Sequence, residues 1–292
     1  MSLKQETKPG YQPVVIIGAG RSGTNMLRDI LTSIDSVATW PCDEINYIWR
    51  RGQVSNLTDE LEPESLKIRN RAYIRSCFDK IAKKYSAEFV VEKTCANSLR
   101  VDYVDKIIPE AKYIYIVRDG RDVVASAKKR WTSGIDIPYI LKKVPYVPFS
   151  DLPYYAIRYL KTRINRLLSK ENALSSWGPR YKGIDSDVKN LPIEEVCAVQ
   201  WKNCVVKSDT AFQNLSGDKY IKIYYEDFVR SPVKKLDEIL IYLNIPLKSK
   251  TPLTDRYLSR VSAKSVGSFK KDISSEKVID ITATTLKKHN YL

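Results

Sequence analysis

The chain alternates short β-branched runs with longer stretches whose apolar residues fall three and four apart. Val14-Val15-Ile16-Ile17 has no polar break, which is the pattern of a strand buried on both faces. Runs of this kind predict strands over 13–18, 88–92, 112–117 and 220–225. Helical periodicity predicts helices over 23–33, 44–51, 64–84, 97–107, 120–130, 153–171, 194–214 and 232–243. Such alternation predicts an α/β fold, with a central parallel sheet and helices on both of its faces. Ligands of these sheets bind outside the carboxyl ends of the strands.

Two of those ends carry chemistry. After the first strand comes Gly18-Ala19-Gly20-Arg21-Ser22-Gly23-Thr24-Asn25, and then a helix with an apolar stripe, Met26-Leu27-Arg28-Asp29-Ile30-Leu31. Strand, glycine loop and helix aim backbone N–H groups and a helix N-terminus at an anion. The spacing matches G-x-x-x-x-G-K-[ST] except that Thr24 stands at the lysine position and the cation has moved into the loop as Arg21. A nucleoside triphosphate with magnesium fits such a loop poorly. The strand Lys112-Tyr113-Ile114-Tyr115-Ile116-Val117 ends in Arg118-Asp119-Gly120-Arg121-Asp122 and a helix through Arg130. Asp119 is placed to cap that helix, and Asp122 puts a favourable charge in its first turn. Arg118 at the strand end and Ser126 on the helix can clamp one phosphate, with Arg130 on the same face as Ser126 at i+4.

Together these segments resemble the sulfotransferase superfamily, which uses 3′-phosphoadenosine 5′-phosphosulfate (PAPS). Gly20-Arg21-Ser22-Gly23-Thr24 looks like the family's loop for the 5′-phosphosulfate, with Asn25 opening the helix behind it. Arg118 and Ser126, within Val-Arg-Asp-Gly-Arg-Asp-Val-x-x-Ser, look like its 3′-phosphate site. Glu92-Lys93-Thr94, Pro109-Glu110-Ala111-Lys112-Tyr113 and Tyr224-Tyr225-Glu226-Asp227-Phe228 fit a bacterial, tyrosylprotein-sulfotransferase-like branch. Ser265-Val266-Gly267-Ser268-Phe269-Lys270 resembles its C-terminal segment covering the nucleotide. The resemblance is good over residues 13–130 and loose over 194–280. It implies a P-loop NTPase-like three-layer fold, PAPS as donor, adenosine 3′,5′-bisphosphate as product, and no metal.

It also implies catalytic roles. Arg21 neutralises charge on the leaving phosphate, and Lys93 faces the sulfonate. Glu44 accepts the acceptor's proton, with Asp43 in reserve because the register is open by one or two residues. Glu44 is expected to open a helix, where serving the macrodipole is the competing role. Lys270, with Ser265 and Gly267, closes over the phosphates. Cytosolic family members use a histidine, but the single histidine here, His289, is near the C-terminus, where chains fray.

Residues 131–193 carry no matching motif. They hold Pro138, Pro145, Pro148, Pro153, Pro179 and Pro192, and five tyrosines from Tyr139 to Tyr159. We read them as a helical insertion, an acceptor-side lid over a single domain spanning 1–292 rather than a second domain. A packed helix with a solvated basic face is the competing reading.

Composition narrows the partners. Lys and Arg number 49 against 34 Asp and Glu, a formal charge of +15, which calls for an anionic partner. The basic residues are spread along the chain and form no recognisable nucleic-acid module. Five cysteines without C-x-x-C spacing suggest neither a disulfide framework nor a zinc site. No apolar run is long enough to span a membrane, and 1–12 has no signal-peptide pattern, so a cytoplasmic enzyme is expected. The acceptor is a small molecule, a saccharide or a peptide, with a saccharide preferred. Two other functions are a P-loop kinase or NTPase and a non-catalytic polyanion-binding protein.

Overall fold

The computed structural model describes residues 9–131, 143–151, 154, 157, 177–273 and 275–292. Its sheet has five parallel strands: β1 (Gln12–Ile17), β2 (Val37–Ala38), β3 (Phe89–Lys93), β4 (Lys112–Val117) and β5 (Tyr220–Tyr224), in the order β2-β3-β1-β4-β5. The chain leaves β1 for β2 and β3 on one side, then crosses to β4 on the other. The crossovers therefore diverge at the carboxyl end of β1, which opens a crevice there.

Both sheet faces are covered, as the unbroken apolar run of β1 requires. Val14, Val15, Ile16 and Ile17 are all fully buried. Val15 and Ile17 pack in one cluster with Ile74 and Phe78 of α3 (Ile68–Tyr85) and with Val104 and Ile107 of α4 (Val101–Ile107). Val14 and Ile16 pack in another with Leu27, Ile30 and Leu31 of α1 (Thr24–Leu31) and with Leu236 and Leu240 of the helix Pro232–Leu243. Each such side chain contributes about 1.5–3 kcal/mol by leaving water. A third cluster joins α5 (Gly120–Trp131) to the helices Ile193–Asn214 and Glu276–Lys288. There a Cβ on Gly120 would lie 2.6 Å from the Trp201 ring, so the first turn of α5 needs glycine to sit against it.

Local chemistry shifts several expected elements. The helix expected over 44–51 contracts to α2 (Asn46–Trp49), so Glu44 lies in the loop before it and not in its first turn. The one expected over 97–107 divides into a 3-10 turn, Cys95–Leu99, and α4. Side-chain bonds compete with helix there: Asn97 Nδ2 donates to buried Glu92 at 2.9 Å, and Arg100 Nε donates to Asn97 Oδ1 at 2.9 Å. The two-residue β2 is too short to leave a periodic signal. The helix expected over 153–171 lies, apart from Tyr154 and Ile157, outside the described residues.

The C-terminus does not fray. His289 is 2% exposed, and its Nε2 lies 2.9 Å from Asp209 Oδ2. The Asp209 carboxylate also accepts from the Tyr115 hydroxyl at 3.0 Å. Burial works against its charge, but hydrogen bonds from His289 and Lys288 hold Asp209 well below the usual carboxylate range. Among the described residues no helix is long and apolar enough to cross a membrane.

Candidate active site

The loop after β1 is pressed between β4 and the helix Tyr225–Arg230. A Cβ on Gly18 would lie 2.8 Å from the Ile116 carbonyl oxygen, and one on Gly23 would lie 2.6 Å from the Tyr225 ring. Gly23 precedes α1 with φ 89°, and no side chain caps the helix, so its first-turn N–H groups face the loop. Arg21 adopts φ 71°, a left-handed conformation that costs a non-glycine residue energy and marks functional loops. Ser22 is 1% exposed, yet its Oγ has no hydrogen-bond partner among the described residues. A buried hydroxyl without a partner is uncommon and fits a ligand oxygen.

The second motif meets the first across 97 residues of sequence. Arg118 Nη1 donates to the Arg21 carbonyl at 2.9 Å, and Arg21 Nε donates to Ser126 Oγ at 2.9 Å. Arg118 is 6% exposed, and its guanidinium lies 4.3 Å from the centre of the Tyr225 ring. Its Nη2 donates to the Ser265 carbonyl at 3.0 Å, while its Nε has no partner among the described residues. The Tyr225 hydroxyl and Ser265 Oγ lie 2.9 Å apart. Burial, then the neighbouring Arg118 and Arg130, pull the pKa of Arg21 down. Three guanidinium groups this close repel one another and favour an anion between them.

The third part is acidic. Lys93 ends β3 with its side chain 1% exposed, so it is no surface lysine. Its Nζ lies 3.0 Å from both Asp43 Oδ1 and Glu44 Oε1. Burial disfavours the ammonium, but Glu44 and Asp43 outweigh it and hold Lys93 above its ordinary range. Burial likewise pushes the Glu44 carboxyl up, and Lys93 and then Lys143 bring it below its usual value. Asp43 is also held well below the usual carboxylate range, because Lys93 and Arg28 together overcome its burial. Arg28 Nη1 donates to Asp43 Oδ1 at 2.7 Å. The Cys95 N–H donates to Glu44 Oε1 at 3.3 Å, and Cys95 Sγ lies 3.6 Å from Thr24 Oγ1 of α1. A chain of contacts thus links the glycine loop to the carboxylates. Thr94 Oγ1 accepts the Ile45 N–H at 3.1 Å and donates to fully buried Glu92, which fixes the chain on either side of Glu44. Burial, opposed by that Thr94 bond, leaves Glu92 pushed up to about 7. A cavity of about 300 Å³, lined by Arg28, Trp40 and Asp43 among others, adjoins the cluster.

The structure therefore gathers Arg21, Ser22, Gly23, Thr24, Arg118, Ser126 and Ser265, and beside them Asp43, Glu44 and Lys93. Gly20 lies under Trp177, whose ring a Cβ there would meet at 3.1 Å. Asn25, Arg130 and Lys270 are exposed. Three residues had no assigned role from sequence: Tyr225, Trp177 and Lys143. Tyr225 was visible as part of the strand–helix junction, but nothing set Trp177 or Lys143 apart from other aromatic and basic residues. Among the described residues no three His, Cys, Asp or Glu side chains are grouped to hold a metal ion.

The Sulfotransferase family model matches residues 13–145. No curated protein matches the chain. Among solved structures, the sulfotransferase domain from the curacin biosynthetic pathway is 14% identical with TM-score 0.51, over 94% of this chain and 97% of its own. The sulfotransferase domain of the olefin synthase from Synechococcus PCC 7002 is 16% identical with TM-score 0.52, over 97% and 98%. Sulfotransferase STF9 from Mycobacterium avium is 11% identical with TM-score 0.52, over 96% of this chain and 77% of its own. At these identities the structures speak for the fold, which is P-loop NTPase-like, and the family match speaks for the segment bearing both phosphate motifs. The chain thus matches the Sulfotransferase family model over 13–145 and shares its fold with solved sulfotransferases over nearly its whole length.

Proposed function

We propose that this protein transfers a sulfuryl group from PAPS to a hydroxyl or amine acceptor. The observation that carries the reading is the convergence of Arg21, Arg118, Ser126 and the Ser265 carbonyl above the uncapped start of α1. The residues present fit a bisphosphorylated nucleotide. Ser22 Oγ and Arg118 Nε are buried donors that no protein atom uses among the described residues, and both suit phosphate oxygens. The loop N–H groups, Ser22 and Arg21 would hold the 5′ end, and Arg118, Ser126 and Arg130 the 3′-phosphate.

When bound, the nucleotide supplies the sulfuryl group, whose sulfur–oxygen bond to the phosphate breaks as a bond to the acceptor forms. Arg21 stabilises negative charge on the departing phosphate, as a fixed cation and not as an acid. Glu44 takes the acceptor's proton. Asp43 is the poorer base, because Arg28 as well as Lys93 binds its carboxylate. Lys93, paired with both carboxylates, is the group that would exchange one of them for a sulfonate oxygen. On this reading 131–193 forms the acceptor-side lid of a single domain, and its described part brings Trp177 to Gly20 and Lys143 towards Glu44. A saccharide hydroxyl is the preferred acceptor, and the enzyme works in the cytoplasm.

Adenosine 3′,5′-bisphosphate is expected to stabilise the fold without magnesium. At one hundred times its dissociation constant the gain is about 2.7 kcal/mol, visible as a raised melting temperature. A melting temperature unmoved by this nucleotide but raised by Mg-ATP would favour a kinase instead.

A further inference from the structure

We propose that Asp122 is the positioning residue that straps the segment 265–269 across the nucleotide site, so that nucleotide affinity depends on it. The inference rests on the PAPS reading. Asp122 lies in the first turn of α5, four residues before Ser126 on the same helix face and four after Arg118 at the end of β4, so it stands between the two in sequence. It is 1% exposed, and the described structure pairs it with no Lys or Arg side chain in a salt bridge. Three consecutive residues of the strap bind it instead. The Gly267 N–H donates to Oδ2 at 2.7 Å, and the Phe269 N–H and Ser268 hydroxyl donate to Oδ1 at 3.0 and 3.2 Å.

From 261 to 273 no described residue is fully buried, and the strap's apolar anchorage is the partly buried Val266, with Val261 and Ile273 at its ends. Besides the Tyr225–Ser265 contact, its other polar and cationic ties run to the end of β4 and along α5. Arg118 holds the Ser265 carbonyl, the Arg121 guanidinium lies 4.3 Å from the centre of the Phe269 ring, and Lys129 pairs with Asp272 at 2.8 Å. Gly267 takes φ 74° with open space around it, so its glycine serves the backbone turn that aims two N–H groups at one carboxylate. Only a carboxylate accepts from all three donors, whereas an amide turns an NH2 group towards one of the backbone N–H groups. A carboxylate in a basic phosphate site is otherwise unfavourable for binding an anion, so its retention there needs such a role.

The test is calorimetric titration of adenosine 3′,5′-bisphosphate into the full-length protein and into Asp122→Asn. Loss of charge-assisted bonds predicts about 10- to 100-fold weaker binding, with the donor KM rising by a like factor and kcat changing far less. Affinity within twofold of the unaltered protein overturns the inference, as does an equal fall in kcat with KM unchanged. If Asp122→Asn does not fold, amide hydrogen exchange on the unaltered protein decides. Slower exchange at Gly267 and Phe269 with nucleotide bound supports the strap, and unchanged exchange overturns it. Failure of the unaltered protein to bind this nucleotide at all is a different result, which removes the PAPS reading and the strap with it.

Discussion

Glu44→Gln is expected to lower turnover about 100- to 10,000-fold, the usual weight of a general base, while nucleotide affinity stays nearly constant. The amide keeps the size of the side chain and can still accept the Cys95 N–H, but it cannot take a proton. Lys93 keeps Asp43 as a partner at 3.0 Å, so the ion cluster is thinned and not abolished. Asp43→Asn is the control: it should cost less turnover, since that carboxylate is bound by Arg28 as well as by the Lys93 it shares with Glu44. The pH dependence has a definite sign. Lys93 holds Glu44 below its usual pKa, so in the free enzyme the base is ionised above the ordinary glutamate range of about 4.3 and is lost only as pH falls beneath it. The acidic limb of kcat/KM should therefore lie below that range. The limb of kcat should lie higher, because Lys93 drawn towards a sulfonate no longer holds Glu44 down. Equal turnover in Glu44→Gln and the unaltered enzyme would exclude Glu44 as the base.

Arg118→Ala is expected to weaken nucleotide binding about 10- to 150-fold, the equivalent of one hydrogen bond between charged groups at roughly 1.5–3 kcal/mol. The same change frees the carbonyls of Arg21 and Ser265, which loosens the loop and the strap together. Arg118→Lys keeps the charge but not the fork that spans both carbonyls, so it should recover only part of the affinity. The acceptor KM should stay near its original value, because Arg118 lies with the nucleotide clamp. A donor KM unchanged in Arg118→Ala would remove this residue from the site.

The loop and strand end that the proposed nucleotide site uses could be picked out because their geometry is local. A strand, a glycine turn and a helix N-terminus are contiguous in sequence, and so are Arg118 and Ser126. Four of the five strands were equally clear from their β-branched and aromatic runs, whereas the two-residue β2 left none. What sequence could not supply was side-chain competition over distance. The start of α2 moved because Thr94 takes the Ile45 N–H, and Glu44 turned from a helix end to Lys93, 49 residues away. Asp122 reads from sequence as a helix-dipole charge, but its partners lie 145 to 147 residues on. His289 reads as part of a frayed end, yet it is buried against Asp209, and Tyr291 donates at 2.6 Å to Glu226, which also accepts the Asp119 N–H. Each of these contacts joins chain segments that no periodicity relates.

The most direct measurement is transfer from PAPS labelled in its sulfuryl group, without magnesium, across a panel of saccharide, phenol, peptide and amine acceptors, with Glu44→Gln alongside. The expected result is label in an acceptor whose mass rises by one sulfuryl group, formed with adenosine 3′,5′-bisphosphate in equal amount and nearly abolished in Glu44→Gln. Absence of label in every acceptor, together with transfer of the γ-phosphoryl group from Mg-ATP, would contradict sulfuryl transfer as the function.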